Sequence, residues 1–381
     1  MMRIRIVFVT VSVMVVTLFT SLFLIARETR EELFRALGNL AEVVHLVRSQ
    51  YVNELDSEVL SLSLEAGIVE SVDPHAAVLP REAVAGFREM VARPPAYGLV
   101  LGIRLGSAGV RAVLPGSPAE SAGVERWEIL EKVDGVYTRG RPLWQVRMVL
   151  AEHEQAGEAA LLTVLDRLLD QRREVTLSPG DWTLREFEVE PREEAQVIRL
   201  RELAGGAAGR LAEVLRAHEG ALILDLRPLA WGREEEAIAV ADLFVATGEL
   251  GSWRGRQAGA KRFDASPEVA AARLPTVLVD GATEGVAEVL AGALQRAGAT
   301  LVGQATAGNA AHMQLVDDGD ITLWLPVGRW LRADGEPLYG QGLAPDVVVE
   351  EPGSERGDGD QDPVLERALE LVEGDALDVA A

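Results

Sequence analysis

The stretch Pro275-Thr276-Val277-Leu278-Val279-Asp280-Gly281-Ala282-Thr283-Glu284-Gly285-Val286-Ala287-Glu288-Val289-Leu290-Ala291-Gly292-Ala293-Leu294 decides the fold. It opens on a short apolar run, Thr276 to Val279, closed by Asp280-Gly281, which predicts a buried strand ending in a tight turn. A helix follows, because Val286, Val289, Leu290, Ala293, Leu294 and Ala297 recur at helical spacing, with Thr283 or Glu284 placed at its start. Thr300-Leu301-Val302 predicts a second strand and Gly303 to Ala311 a loop. A strand that turns sharply onto a helix N-terminus is where a hydrolase displays a nucleophile: the turn exposes the side chain and the helix dipole favours developing negative charge. Here the turn offers neither serine nor cysteine.

Working outward, 381 residues of which 48% are hydrophobic can bury a sizeable core and suit two or three domains. A net charge of -23 argues against nucleic acid as a partner, since that needs clustered Lys and Arg. Cysteine is absent, which removes a disulfide framework, a thiol nucleophile and Cys-based metal sites. Neither a metal nor a cofactor is expected. Lysine is confined to Lys132 and Lys261, both read as surface charges.

Residues 1–27 read as an N-terminal membrane anchor. Ile6 to Ala26 is an uninterrupted apolar run of about the twenty residues a helix needs to cross a bilayer. Arg3 and Arg5 before it and Glu28, Glu31 and Glu32 after it put the N-terminus inside. A cleaved signal peptide is the rival, although Leu24-Ile25-Ala26 lacks the small residue expected before a cleavage site. The expectation is a single-pass protein of the inner, cytoplasmic membrane with the bulk of the chain extracytoplasmic, or periplasmic.

Residues 28–95 read as a helical segment with an apolar stripe of Leu33, Leu37, Leu40, Val43, Val44 and Val47. His75, in Ser71-Val72-Asp73-Pro74-His75, is read as a loop or packing histidine because no second ligand stands at metal spacing. After Pro94-Pro95, residues 96–179 become short strands. Tyr97-Gly98-Leu99-Val100-Leu101, then Gly116-Ser117-Pro118-Ala119-Glu120-Ser121-Ala122-Gly123-Val124, then Ile129-Leu130-Glu131-Lys132-Val133-Asp134-Gly135 resemble a PDZ domain in motif and order. The resemblance implies peptide binding at Tyr97, Gly98, Leu99, Val100 and Leu101, by strand addition with the carboxylate capped by backbone N–H groups. Where that family usually has Pro-Gly-Asp, this chain has Arg126-Trp127-Glu128.

From residue 180 to 352 strands and helices alternate, the signature of an α/β core. Ile321 to Leu325 and Gly328 to Leu331 read as an antiparallel pair. Residues 353–381 form an acidic tail with a short helix over Pro363 to Val372.

An anchor, a helical segment, an inserted PDZ-like unit and an α/β core in this order resemble the C-terminal processing, or tail-specific, peptidases. Further landmarks are Leu222-Ile223-Leu224-Asp225-Leu226-Arg227 and Gly340-Gln341-Gly342-Leu343-Ala344-Pro345-Asp346. The resemblance implies a serine peptidase fold with a Ser-Lys dyad. Placing the family's Glu, three residues after its serine, on Glu288 puts the nucleophile position on Gly285. The family's Thr-Phe-Gly-Lys-Gly meets Thr306-Ala307-Gly308-Asn309-Ala310, so the base falls on Asn309 or Ala310. Its Asn-Pro-Gly-Gly segment, which helps form the oxyanion site, corresponds to Leu229-Ala230-Trp231-Gly232.

The expectation is therefore a catalytically degenerate member that binds peptide or protein C-termini as scaffold, adaptor or regulator, its oligomeric state left open. The alternative is an active peptidase with a rebuilt site, Thr283 activated by His312 with Glu284 or Glu288 as orienter, Thr283 otherwise serving as an N-cap.

Overall fold

A computed structural model describes residues 34–52, 57–166, 170–193, 195–229, 231–317, 319, 321–350 and 362–380. The anchor expected over 1–27 lies outside them. Among the described residues no helix is long and apolar enough to cross a membrane. The chain divides into two units, Met1–Gly67 and Ile68–Ala381.

The first unit holds helix α1 (34–50) and most of α2 (Ser57–Val72). Of the stripe expected on α1, Leu37 and Val43 are more than half exposed, Val47 is exposed, and Leu40 and Val44 are partly buried.

In the second unit the chain runs through β1 (Ala77–Leu79), α3 (Ala83–Val91), a 3-10 turn (Ala96–Gly98), β2 (Leu99–Arg104), β3 (Ser107–Val113), α4 (Pro118–Ser121), β4 (Ile129–Val133), β5 (Val136–Tyr137), α5 (Leu143–Ala156), β6 (Ala160–Asp166) and β7 (Gln171–Leu177). It continues through β8 (Phe187–Pro191), β9 (Gln196–Leu200), α6 (Ala207–Arg216), β10 (Leu222–Asp225), α7 (Glu234–Asp242), β11 (Glu249–Gly255), β12 (Ala260–Asp264), β13 (Thr276–Val279), α8 (Val286–Ala297), β14 (Leu301–Gly303), β15 (Ala311–Asp317), β16 (Thr322–Leu331), β17 (Val347–Val348) and α9 (Pro363–Ala380).

The central sheet has the order β17-β14-β13-β10-β9-β8, parallel except for the β8–β9 pair. Its inner strands are apolar on both faces because both faces are covered. Leu222, Leu224, Val277, Val279 and Leu301 pack in one core with α6, α7 and α8, whereas Ile223, Leu278 and Val302 pack on the other side against Val364, Leu365, Ala368 and Val372 of α9. This corrects the reading of 353–381 as a tail with a short helix. Helix α9 runs to Ala380 and closes the sheet, each of its large buried side chains contributing at most about 1.5–3 kcal/mol. Its N-terminus is tied down by Asp362, which receives two hydrogen bonds from Arg227.

A second sheet, β1-β16-β11-β12 with β15 also on β16, corrects two further readings. Residues 322–331 form one continuous strand rather than a hairpin: Pro326 and Gly328 lie inside the run, β15 pairs along residues 322–329 and β11 along 328–331. The segment 28–95 is not wholly helical, since Ala77, Val78 and Leu79 pair with Trp324, Leu323 and Thr322. Helix α3 follows β1 into this layer, its Phe87 packing edge-on against Trp144 and Trp324.

The third sheet, β2-β3-β4-β6-β7, is antiparallel and surrounds its own core of Tyr97, Leu99, Leu101, Leu130, Leu150 and Leu162. Strand β2 is its edge and lies beside α5.

Candidate active site

The turn between β13 and α8 is built from its own polar groups. Asp280 Oδ1 accepts from Ala282 N at 2.9 Å and Thr283 N at 3.0 Å, while Asp280 N donates to Thr283 Oγ1 at 3.0 Å. Thr283 is completely buried, and its hydroxyl lies against Leu226 O and Asp280 Oδ1. It braces the turn and does not cap the helix. The N-cap is Gly285, with φ 61° and ψ -114°, a conformation that L side chains rarely adopt. A Cβ built there would meet nothing within 4 Å. The position expected for a nucleophile thus holds a conformation that glycine adopts freely and an L residue would not, facing open space, with no side chain to use it.

Glu288, one turn into α8, holds the next loop against the helix. Its carboxylate accepts from Gly285 N at 3.0 Å, Thr306 Oγ1 at 2.5 Å, Gly308 N at 2.6 Å and Asn309 N at 2.6 Å. Burial pushes its pKa up despite these four donors. Gly308, at φ 75°, is required where it stands, since a Cβ would come within 3.0 Å of Gly342 N. Thr306 ties the loop to Leu343 in both directions, donating its N–H to Leu343 O at 3.1 Å and accepting from Leu343 N at 2.8 Å. Glu288 is therefore a loop clamp with no free lone pair to orient a histidine.

Of the two residues read at the base position, Ala310 is buried in the main core and Asn309 faces the site. Asn309 Nδ2 donates to His75 Nδ1 at 3.2 Å. A carboxamide does not accept a proton near neutral pH, so this contact positions and does not activate. His75 was missed as a site residue because its partner is far away in sequence. Asp73 fixes its approach by accepting from His75 N at 2.8 Å. Lys132 lies over the Tyr137 ring at 4.4 Å and Lys261 over Phe263 at 4.6 Å, so both are engaged at their own strands.

The pairing of Thr283 with His312 is not formed. His312 Nδ1 lies 2.8 Å from Glu234 Oε2 and Nε2 lies 2.9 Å from Gln314 Nε2, so both ring nitrogens are engaged away from Thr283. The ring stacks on Trp253 with centroids 4.4 Å apart. Strand alternation turns His312 toward α7 and β11, while Thr283 is sealed beneath its own turn. Glu284 is also engaged, its Oε2 2.6 Å from Arg111 Nη1.

The third sheet is fastened over the same turn. Arg111 also donates to Gly281 O, and Arg126 Nη2 lies 2.9 Å from Asp280 Oδ2. Between these ion pairs Trp231 packs with Val100, Ala112, Leu114 and Ala282. It is buried, and among the described residues its Nε1 has no hydrogen-bond partner. Leu229 presents its carbonyl to Glu284 N at 3.1 Å, so at this point an acceptor, not a donor, faces the turn.

The loop expected to cap a peptide carboxylate is closed by internal acceptors. Tyr97 N donates to Glu154 Oε1 at 2.7 Å, Gly98 N to Pro95 O at 3.0 Å and Leu99 N to Ala96 O. Tyr97 is fully buried at φ 53° with its hydroxyl donating to Glu158 O at 2.6 Å, and burial beside Glu154 pushes its phenol up to about 12. Val100 faces Trp231, leaving Leu99 and Leu101 to line a groove with Ala96, Arg147, Leu150 and Glu154. The amides of this loop are present but already satisfied within the chain. Among the described residues no group of three or more His, Asp or Glu could hold a metal ion.

Comparison with known proteins agrees with this architecture. Residues 195–349 match peptidase family S41. The chain is 25% identical over 349 residues to the carboxy-terminal-processing protease of Bartonella bacilliformis, covering 88% of this chain and 80% of that one. It is 25% identical over 329 residues to the "Probable CtpA-like serine protease" of Staphylococcus aureus, covering 83% of this chain and 65% of the relative. Among solved structures, the photosystem II D1 C-terminal processing protease shares the fold with a TM-score of 0.66 at 20% identity, over 84% of this chain and 88% of that one. Residues 195–349 thus resemble peptidase family S41, and the relatives at 25% identity are carboxy-terminal-processing or CtpA-like proteases.

Proposed function

We propose that this chain, built on a peptidase family S41 domain, is a pseudoprotease: it keeps the framework of the C-terminal processing peptidases, has lost cleavage, and binds peptide or protein C-termini through a PDZ-like unit. The observation that carries the reading is Gly285, an N-cap in nucleophile-elbow geometry with open space where a side chain would stand. Asn309 in the place of a base and Trp231 packed into the oxyanion segment support it. Loss of a nucleophile or base alone removes about a millionfold in rate, and here both are gone.

The binding half of the proposal rests on the edge strand β2 beside α5, with Leu99, Leu101 and Leu150 offering an apolar wall. A peptide adding to this edge meets Glu154 at the loop, and its terminal carboxylate must displace that side chain from Tyr97 N. The apolar run from Ile6 to Ala26 supports a membrane-anchored, extracytoplasmic scaffold, adaptor or regulator.

The full chain, incubated with a peptide carrying a free C-terminus and followed by mass spectrometry, should give no cleavage. Cleavage by the unaltered protein that disappears with Thr283→Ala or His312→Ala would overturn the proposal. Binding of the same peptide, weakened by amidation of its terminus, is the expected positive result.

A further inference from the structure

The groove between β2 and α5 carries more chemistry than strand addition needs. Arg147, Leu150 and Glu154 lie at i, i+3 and i+7 on α5 and so share one face, and all three line the groove. Glu154 stands at the loop end against Tyr97, and Arg147 stands two turns before it. At about 1.5 Å of rise per residue the two are about 10 Å apart along the helix. An extended peptide, at about 3.3 Å per residue, covers that distance in about three residues.

Arg147 differs from the other inward arginines. Arg227 is paired with Asp225 and Asp362, Arg111 with Glu284, and Arg201 donates to Arg227 O. The Arg147 guanidinium makes no hydrogen bond or ion pair among the described residues, and burial draws its pKa down. The carboxylate that acts on it through space, Glu284, is already held by Arg111. In a chain with 60 carboxylates and 37 Lys and Arg, a sheltered cation without an acceptor is an exception. A guanidinium so placed gains most from a planar anion brought in by a ligand, which can take two parallel hydrogen bonds.

We infer that the groove selects C-terminal segments with an Asp or Glu about three residues before the terminal residue, read by Arg147 while the terminus lies at the Tyr97 loop. This rests on the strand-addition reading of the groove proposed above. Arg147 acts here as a specificity-determining residue, and no cleavage is involved.

The test uses the full chain and fluorescein-labelled octapeptides of one apolar sequence, with Glu or Gln three residues before the last and with the terminus free or amidated. Fluorescence polarisation should show the free Glu peptide binding at least tenfold more tightly than the Gln peptide, with Arg147→Gln removing the difference and Arg147→Lys keeping part of it. Moving the Glu along the peptide gives a second measurement that needs no variant, and affinity should peak near the inferred position. Equal binding of Glu and Gln peptides wherever the Glu is placed overturns the acidic selection and leaves the groove reading intact. Failure of every free-carboxylate peptide to bind overturns the groove reading and the selection with it.

Discussion

The turn from Asp280 to Glu288 and the loop from Tyr97 to Leu101 are vacant and closed in opposite ways. At the turn a nucleophile-type geometry stands without a side chain to use it: Gly285 holds an N-cap conformation that L residues rarely adopt, with free space before it, and Glu288 clamps the neighbouring loop with three hydrogen bonds and its own turn with a fourth. At the loop the chemistry is kept and the access is missing, because each of three backbone donors has found an acceptor inside the chain. A site lost through its side chains cannot recover without mutation, whereas one lost through occupancy needs only a competitor for the same donors. That difference is why we propose binding, and not cleavage, for this molecule.

Trp231 touches both regions, packing on Val100 from β2 and on Ala282 from the turn, and its removal should produce the largest effect. Trp231→Ala should cost about 3–5 kcal/mol in chemical denaturation. Trp231→Phe should cost much less, since the buried Nε1 has no partner to lose. If the alanine variant were as stable as the parent, the two regions would not be coupled through this ring.

Glu288→Ala comes next, with about 3 kcal/mol lost, because the donors of Thr306, Gly308 and Asn309 are left without an acceptor. The carboxyl also predicts a pH trend. Its folded pKa is raised by burial, so the folded state binds the proton more tightly than the unfolded chain does. Its contribution to stability therefore increases as pH falls through the raised folded pKa and decreases as pH rises through it. Comparing the pH slopes of urea midpoints for the parent and Glu288→Gln should show the smaller slope in the variant.

Gly285→Ala tests the held geometry by itself. Space is free for the new methyl group, so the cost should come from backbone strain alone, about 1–2 kcal/mol, and a neutral result would mean that the turn is not held in its present conformation. The smallest effect is expected at the loop. Glu154→Gln should tighten binding of a free-carboxylate peptide severalfold and leave an amidated peptide unchanged, measured by polarisation. Unchanged binding of both would show that the carboxylate of Glu154 is not the competitor.

Much of this was legible before the coordinates. The strand, turn and helix from Thr276 to Ala297 follow from periodicity, and the absence of a serine or cysteine from the turn follows from its residue types. What could not be read depends on contacts between distant segments. Strand β1 is three residues long and exists because β16 pairs with it. Helix α9 resembles a charged tail until Val364, Leu365 and Val372 meet the underside of the sheet. The one-strand nature of 322–331 was hidden by Pro326 and Gly328, which local rules read as a break. The closing of the Tyr97 loop was hidden for the same reason, since Glu154 belongs to an exposed-looking helical stretch and its partner is an amide, which carries no sequence signal.

The pairing of Ala77 with Trp324 also bears on how the molecule is made. The two strands are almost as far apart in sequence as the second unit allows, and such contacts form late because a long loop must be closed first. Until β1 arrives, β16 presents an unpaired segment over residues 322–324, the kind of edge on which partly folded chains associate. A chain shortened from its N-terminal side past Leu79 would keep the turn from Asp280 to Glu288 and the loop from Tyr97 to Leu101, lose His75, and expose that edge permanently, so its yield of soluble protein, not its binding, is what should suffer.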